Sequence, residues 1–500
     1  MIDLRPLLKP LGMASLALSL SFAPHAAFAA PETLTVALTG DFPSLDPSKD
    51  SSPLGANYRL NVFNALTAIQ RDGSIDPRLA LSWSTSPDLT EWTFNLRHGV
   101  KFQDGSDFTA ADVKFTYERI LADATTPVRS FARLVKTVEV INDTTVKFTL
   151  VQPYAIFERQ VSYIYLMSKV YFDKVGDQGY LTKPVGTGPY RLAEWVKADR
   201  MVLEANPGYW GGEPGIKKGI FRPVPAEASR ANALLSGEVD LVPELSPALM
   251  TQFKSSSTVK VEVAPGFRVV YLAMNPNKPP FDSASLREAV DYAVDRKSIT
   301  DRLLRGVGRP TGMMLPPAAV GYDASFKPVA YDPERARTLV KQSGYAGQVI
   351  KIQYPNNNFA MANEVVQAVG GYMTAAGLKV EVSPMEFTAF FPLWLQSKLD
   401  TMDLFAFGAS SYHAEGVLSV LYEQGANAFK VDPEIDRITK AQRSEKDPVK
   451  QRQMIADAFR RSNEIRYYTP LYDLLQVYGV KKSIDFTPFP DGIVRFYDFK

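Results

Sequence analysis

Short runs of alternating apolar and polar residues are separated, along the whole chain, by segments with clear helix-start signals. In VEVINDTTVKFTLV, residues 138–151, two runs with a two-residue period flank Asn142 and Asp143, which predicts a β-hairpin. Helices are predicted to begin after Asp332 and Asp432, because each precedes a proline that suits the first helical position. Strands and helices are mixed throughout, which indicates an α/β or α+β protein built from several layers.

The segment WTFNLRHGVKFQDGSDFTAADVKFTYERI, residues 92–120, is predicted to form a hairpin followed by a helix. Apolar residues occupy every second position on both sides of His98 and Gly99, as in two strands joined by a turn. Thr109 is followed three residues later by Asp112, a shorter equivalent of the capping-box glutamate, which predicts a helix start. Taken alone, this pattern indicates scaffold rather than a working site.

The first 29 residues are predicted to be a cleavable signal peptide. Arg5 and Lys9 supply the positive start, residues 11–22 the apolar stretch and residues 27–29 an A-x-A cleavage site. The apolar stretch is too short to span a bilayer, and no later run reaches the roughly 18 apolar residues that a membrane helix needs. An exported protein is therefore expected.

Cysteine is absent from the chain, although disulfides are permitted outside the cytoplasm, so stability is expected to come from core burial. Without a cysteine after the signal, no lipid anchor of the bacterial lipoprotein type is expected, and we expect the periplasm of a Gram-negative bacterium. Lys and Arg together number 56, and Asp and Glu together number 54. This balance argues against a nucleic-acid partner.

Motifs for catalysis and metal binding are weak. After the signal, His98 and His413 are the only histidines, so neither a resident metal nor a cofactor is expected. GTGPYR, residues 186–191, lacks the third glycine of a dinucleotide fingerprint, and residues 257–260 match the S-x-x-K spacing only within a strand pattern. Carboxylate pairs suited to glycoside hydrolysis stay open, so an exported hydrolase is the less favoured alternative to a binding protein.

Six motifs, in one order along the chain, resemble those of the extracellular solute-binding proteins that serve peptide- and nickel-type ABC importers. Each motif is weak alone, but their order makes the resemblance specific, and it covers nearly the whole chain after the signal. Besides the segment at residues 92–120, the motifs are SLDPSKD (44–50), VGTGPYRL (185–192), EANPGYWGG (204–212), ALLSGEVDLV (233–242) and YLAMNPNKPPFDSASLREAVDYAVDRKSI (271–299).

The resemblance implies an α/β fold with two lobes, two hinge crossings and an extra subdomain on the first lobe. Lobe I is expected over residues 30–265, with the extra subdomain at about 48–183. Lobe II is expected over residues 266–467, and the chain returns to lobe I over residues 468–500. A monomeric receptor without enzymatic activity is implied, which closes around a peptide or peptide-like solute and docks on the transmembrane permease subunits of an ABC importer.

The resemblance also places the ligand. In peptide-binding members, the ligand backbone pairs like an added strand with a segment from each lobe. The segment of lobe I corresponds here to Ser51, Ser52 and Pro53, and the segment of lobe II lies within FAFGASSYHAEG, residues 405–416. The contacts expected from lobe II are Ala409, Ser410, Ser411, Tyr412, His413 and Glu415, with Tyr271 as a further aromatic candidate.

Ser411 leaves the ligand class open. Typical members have an Asp-Tyr pair whose carboxylate holds the free α-amine of the ligand, whereas this chain has Ser411 followed by Tyr412. A desolvated ammonium needs a counter-charge, which a serine hydroxyl does not supply. Either Glu415 replaces the carboxylate and the ligand is a peptide, or the ligand lacks a free amine, as a blocked peptide, a sugar conjugate or an opine does.

Overall fold

The computed structural model describes residues 31–253, 255–356, 358–408, 411–424 and 428–499, so the predicted signal peptide lies outside the described residues. The strands within these ranges are β1 (Thr33–Leu38), β2 (Thr67–Ile69), β3 (Ile75–Pro77), β4 (Ala80–Thr85), β5 (Glu91–Leu96), β6 (Val135–Asn142), β7 (Thr145–Leu150), β8 (Tyr190–Val196), β9 (Arg200–Ala205), β10 (Lys218–Pro223), β11 (Leu241–Val242), β12 (Val259–Met274), β13 (Gly308–Pro310), β14 (Val349–Pro355), β15 (Lys379–Met385), β16 (Met402–Phe407) and β17 (Tyr468–Lys481).

The helices are mostly short and lie between the strands in sequence. They are α1 (Pro53–Val62), α2 (Ala110–Ala122), α3 (Arg129–Ala132), α4 (Phe157–Gln160), α5 (Lys169–Thr182), α6 (Glu227–Ser236), α7 (Met250–Phe253), α8 (Ala284–Ala293), α9 (Arg296–Ser298), α10 (Pro333–Gln342), α11 (Ala362–Ala375), α12 (Phe387–Leu395), α13 (Glu415–Leu421), α14 (Pro433–Gln442) and α15 (Pro448–Ile465). Single 3₁₀ turns span Val161–Tyr163 and Phe496–Asp498, and a π turn spans Ile299–Leu303.

Two long antiparallel strands, β12 and β17, cross the middle of an eleven-stranded sheet of order β15-β14-β16-β12-β17-β11-β1-β10-β9-β8, with β13 added against β17. We call the part from β11 to β8 lobe I and the part from β16 to β15 lobe II. The pairing of β12 with β17 shifts register between Pro265 and Val269, where both strands pass from one lobe to the other. The use of this break as a hinge, and the lobe boundaries at residues 265 and 467, stay predictions.

A separate four-stranded sheet of order β4-β5-β7-β6 contains residues 92–96 of the segment at residues 92–120, and helix α2 contains residues 110–120. The predicted hairpin of β6 and β7 is confirmed. The hairpin predicted around His98 is wrong, because β5 pairs with β4 and β7 instead. After the turn, Lys101 makes an isolated bridge to Asp107 and no ladder with β5. The alternating residues Val100 and Phe102 are nevertheless buried in the core under this sheet.

Helix starts follow the capping signals of the sequence. The Asp112 carboxylate accepts a hydrogen bond from the backbone N–H of Thr109 at 2.8 Å, which fixes the start of α2. Asp332 accepts from the Arg335 N–H at 2.9 Å and starts α10, and Asp432 in the same way starts α14. These predicted starts are confirmed, and each satisfies backbone donors that the first helical turn leaves free.

The tail that follows β17 packs in the core of lobe I. Phe496 and Phe499, from the tail that follows β17, pack in one buried cluster with Leu34 and Val36 of β1. The tail is tied to α1 as well, because the backbone N–H of Phe496 donates to Asn61 at 2.9 Å. This return brings residues 491–499 beside the loop that precedes α1. Among the described residues, no helix is both long and apolar enough to cross a membrane.

Candidate ligand-binding site

A cavity lies between the two lobes, beside the start of α1 and the C-terminal tail. Phe267 of β12 and Tyr412, which follows β16, contribute to its wall, and the other lining residues come from residues 50–165 and 489–498 and include many aromatic side chains. A mostly apolar concave site with a few placed polar groups is the usual form of a small-ligand site. The aromatic members from lobe I are Phe63, Phe131, Tyr163, Tyr165, Phe489 and Tyr497.

The predicted contacts of lobe I, Ser51, Ser52 and Pro53, line this cavity. The Ser52 hydroxyl accepts a hydrogen bond from the Gly55 N–H at 3.0 Å and caps α1, while Pro53 takes the first helical position. Ser52 is therefore held by the helix start, and its backbone N–H donates to Asp50 at 2.8 Å while its carbonyl accepts from Arg59 at 2.8 Å.

Tyr412 reaches the cavity from lobe II with an unusual geometry. Its backbone is left-handed, with φ of 51°, which is costly for a residue with a side chain and persists only where surrounding structure enforces it. The ring lies 6.1 Å from that of Phe267, centroid to centroid. Only 4% of the residue is exposed, and its hydroxyl has no hydrogen-bond partner among the described residues. Burial raises the pKa of this hydroxyl well above its ordinary value, so it stays a neutral donor.

Glu415 points away from the cavity into lobe II. Its Oε1 accepts from the Arg443 Nε–H at 2.6 Å, and its Oε2 is bonded to the Gln442 amide. The side chain is 4% exposed, although the residue borders a second crevice. Burial raises the pKa of Glu415 to about 7, against the opposing effect of the Arg443 cation. Both carboxylate oxygens are thus engaged within lobe II.

His413 is also buried on the lobe II side. Its Nδ1 accepts the backbone N–H of Glu415 at 3.1 Å, and its Nε2 lies 3.3 Å from the Gln451 side-chain oxygen. Burial lowers the pKa of His413 to about 3, so the ring is neutral at physiological pH. The imidazole does not line the cavity between the lobes.

Ser411 lines the second crevice, between lobe II and the region of α3 and α4. Its carbonyl oxygen lies 3.5 Å from a guanidinium nitrogen of Arg159, which donates to it across the two lobes. Phe131 and Tyr163, stacked at 4.9 Å, belong to the walls of both the cavity and this crevice. Ala409 and Ser410 lie outside the described residues.

The structure places Tyr271 away from the cavity, in the lobe II core, where it is fully buried. Its hydroxyl accepts from the Trp394 indole N–H at 3.1 Å. Strand β12 runs through the core at this point, so a tyrosine in its apolar stretch packs rather than faces a ligand. Of the predicted residues, the structure thus brings Ser51, Ser52, Pro53 and Tyr412 together.

Charged residues of the C-terminal tail line the cavity, and sequence reasoning did not identify them. They lie in DGIVRFYDF, residues 491–499, where charges at positions 491, 495 and 498 interrupt an apolar, aromatic run. Charged residues within such an apolar run are the sequence signal that could have indicated a binding wall here. Asp491 and Arg495 form an ion pair at 2.5 Å, and Asp498 pairs with Arg71 at 3.2 Å.

Among the described residues, no group of three histidine, cysteine, aspartate or glutamate side chains is arranged to hold a metal ion. The carboxylates on the cavity wall instead belong to Asp50, Asp491 and Asp498, each beside an arginine. The cavity therefore offers hydrogen-bonding and ion-pairing groups, together with aromatic faces, to an organic solute.

Comparison with known proteins agrees with this picture. The family model described as bacterial extracellular solute-binding proteins, family 5 Middle, matches residues 74–429. The glutathione-binding protein GsiB of Escherichia coli strain K12 is 30% identical over 381 residues, which cover 75% of this chain and 73% of that protein. The relationship predicted from the six motifs is confirmed.

Solved structures share the fold at lower identity. NikA from Brucella suis, in complex with Fe(III)-EDTA, aligns with a TM-score of 0.85 at 21% identity, covering 94% of this chain and 100% of that one. A dipeptide-binding protein from Pseudoalteromonas sp. SM9913, in complex with Met-Leu, aligns with a TM-score of 0.79 at 21% identity, covering 93% and 99%. The predicted α/β, two-lobed fold is confirmed by these alignments.

Proposed function

Because this chain belongs to the bacterial extracellular solute-binding proteins of family 5, we propose that it is the receptor of an ABC importer for a short peptide or peptide-like solute. The observation that carries the proposal is the cavity between the lobes, with Ser51 and Ser52 on one wall and, on the other, Tyr412, whose buried hydroxyl has no hydrogen-bond partner among the described residues. A ligand that contacts both walls favours the closed form over the open one, and the closed form is the one that docks on the permease.

Closure requires a definite amount of differential binding. Reversing an open-to-closed ratio of 99:1 takes about 5.5 kcal/mol of preference for the closed form. We propose that backbone groups of Ser51, in the loop that leads to Ser52 and Pro53, bind the amide groups of the ligand, and that Tyr412 adds a contact from lobe II. Because one set of contacts lies on each lobe, the ligand completes them only on closure.

The peptide-like class is supported by the relative of 30% identity that is named as glutathione-binding, since glutathione is a tripeptide. A solute without a free amine is the second candidate, because Ser411 stands where typical members have a carboxylate and Glu415 is engaged by Arg443. NikA, the related structure with Fe(III)-EDTA, is an example of this fold with a non-peptide solute.

We further propose that the protein is monomeric, works in the periplasm of a Gram-negative bacterium and releases its solute unchanged. Resident metal, cofactor and nucleic acid have no part in this proposal. An exported hydrolase would share the cavity but would consume the solute.

A thermal-shift screen of the purified protein tests the proposal. The panel holds di- to pentapeptides, their N-acetylated forms, glutathione, sugar conjugates and an opine. A receptor gains about 2.7 kcal/mol of stability at a hundredfold excess over Kd, and mass spectrometry recovers the ligand intact. Native mass spectrometry of protein isolated from its own periplasm would add the co-purifying solute. Binding only of non-peptide members would establish the second candidate, and turnover of any bound solute would refute a receptor.

A further inference from the structure

Six charged side chains gather where the C-terminal tail meets the hairpin of β2 and β3, and four of them, Arg78, Asp491, Arg495 and Asp498, line the cavity. Three are cationic and three are anionic, so the group is electrically balanced. They are Arg71, Asp76, Arg78, Asp491, Arg495 and Asp498.

Most of these charges neutralise one another within the protein. Asp491 is held on both oxygens by Arg495, at 3.1 and 2.5 Å, and accepts the backbone N–H of Ile493 at 3.0 Å. Arg495 also lies over the Phe489 ring, 3.8 Å from its centroid. This pair is therefore closed to a ligand and acts as a rigid part of the wall.

Arg78 and Asp498, on the same wall, keep hydrogen-bonding groups that have no partner among the described residues. Asp498 accepts from Arg71 through Oδ2 at 3.2 Å, and its Oδ1 has no partner among the described residues. Arg78 has one described ion pair, to Asp76 at 3.3 Å, and otherwise presents free N–H donors. Both residues line the cavity, and the side chain is 25% exposed in Arg78 and 22% exposed in Asp498. One anionic acceptor and one cationic donor thus face the ligand space.

Arg78 and Asp498 are close enough for the Arg78 cation to affect the pKa of the Asp498 carboxyl. Burial raises the pKa of the Asp498 carboxyl, and the Arg78 cation is among the charges that oppose this rise. Closing the cavity over either group without a partner would be unfavourable, since a desolvated charge needs an opposite charge and hydrogen bonds.

We infer that Arg78 and Asp498 hold a zwitterionic α-amino-acid head group, with the carboxylate of the ligand on Arg78 and its ammonium on Asp498. A lone ammonium would leave the free N–H donors of Arg78 without an acceptor on closure, and a lone carboxylate would leave Oδ1 of Asp498 without a donor. A zwitterion satisfies both and keeps the charge balance of the wall, and guanidinium-carboxylate pairs have suitable geometry for it. The inference rests on the proposed function. It assigns the counter-charge for the ligand ammonium, which Ser411 does not supply, to Asp498 on lobe I.

This head group restricts the ligand. In an ordinary peptide, the N-terminal ammonium and the C-terminal carboxylate lie at opposite ends. A residue linked through its side-chain carboxyl, as in a γ-glutamyl peptide, keeps both charges on one carbon. Peptides with such a side-chain linkage are therefore the expected ligand class.

Two isomers separate this inference from simple peptide binding. Glutathione is γ-Glu-Cys-Gly, and its α-linked isomer has the same atoms and the same net charge. We expect isothermal titration, under reducing conditions, to give at least about tenfold tighter binding of the γ-linked form, as expected for charge-assisted contacts present in one isomer only. Asp498→Asn and Arg78→Gln should each bring the affinity ratio close to one, mainly by weakening the γ-linked form.

Matched controls are Asp485→Asn, an exposed residue of the same tail, and Arg191→Gln, an exposed residue paired with Glu204. Both should leave the ratio unchanged. A purely structural role of Asp498 would weaken both isomers alike and keep the ratio, which would overturn the inference. Equal affinities in the wild type would overturn it while leaving the receptor proposal intact. Binding of neither isomer would overturn it as well, whereas the receptor proposal would fail only if the whole panel failed.

Discussion

Replacing Tyr412 by phenylalanine removes only the hydroxyl oxygen. This substitution tests whether Tyr412 contacts the ligand or only packs against its neighbours. The ring beside Phe267 keeps its apolar contacts, and the residue keeps its backbone shape. The hydroxyl that disappears is buried and has no partner among the described residues. Its loss therefore changes the ligand-free protein and the complex in opposite directions.

The expected magnitudes follow from the hydrogen-bond energies. A buried hydroxyl without a partner is unfavourable by about 1–3 kcal/mol. Tyr412→Phe should therefore leave the free energy of unfolding of the ligand-free protein unchanged or raise it by about 1 kcal/mol. In the complex, the same change removes a hydrogen bond worth about 0.5–1.5 kcal/mol, which weakens binding about two- to tenfold.

Urea unfolding of the ligand-free protein and isothermal titration with a bound member of the panel measure the two effects. Tyr422→Phe is the control, because the Tyr422 hydroxyl lies 2.7 Å from that of Ser462 in the lobe II core. The control should lose about 1 kcal/mol of stability and keep its ligand affinity. If Tyr412→Phe instead destabilises the protein as the control does and leaves affinity untouched, Tyr412 is a packing residue and the site assignment fails.

Three further predictions concern the surroundings of the site. Burial lowers the pKa of His413 from 6.5 to about 3. The free energy of unfolding therefore has its full value above pH 6.5, where the ring is neutral in the folded and unfolded states, and it decreases as the pH falls toward 3. The decrease is about 1.4 kcal/mol per pH unit. Urea unfolding at pH 7 and pH 5 should show a smaller pH dependence for His413→Asn and an unchanged one for the exposed His98→Asn. Glu415→Gln should cost about 1–3 kcal/mol of stability without weakening the ligand, whereas specific loss of peptide binding in titration would identify Glu415 as the amine anchor. Gly266→Ala would place a Cβ 2.3 Å from a backbone oxygen and should destabilise by about 1–3 kcal/mol or more, while Gly371→Ala, in open space on α11, should stabilise by up to about 1 kcal/mol in thermal unfolding.

Local signals in the sequence predicted local structure well. The aspartates before Pro333 and Pro433 cap their helices, because capping depends on a side chain and the two or three residues that follow it. Pairing of β5 could not be predicted in the same way. The two-residue period of residues 92–102 identified buried positions, but one buried face is compatible with several neighbours, and the strands that bind β5 are β4 and β7.

Position within a motif did not determine which side chains share the cavity. The left-handed backbone at Tyr412 turns the chain, so Tyr412 faces the cavity while His413 and Glu415 are buried in lobe II. A positive φ at a tyrosine is set by tertiary contacts, such as the bond from the Val320 N–H to the Tyr412 carbonyl at 2.7 Å, and the sequence carries no sign of it.

The charges on the opposite wall come from the far end of the chain. The backbone N–H of Val494 donates to Asn57 at 2.8 Å across 437 positions, and this contact sets the tail, with Asp498, beside the loop before α1. A motif is a short run of neighbouring residues. Comparison of the motif alone therefore indicates that the carboxylate of typical members is absent at Ser411. The cavity instead combines carboxylates from several parts of the chain, so a charge absent from one segment can be supplied by another that the fold brings to the same wall. The ligand class consequently depends on the charged groups that keep free donors or acceptors around the cavity, and on the lobe I wall we infer these to be the Arg78 guanidinium and Oδ1 of Asp498.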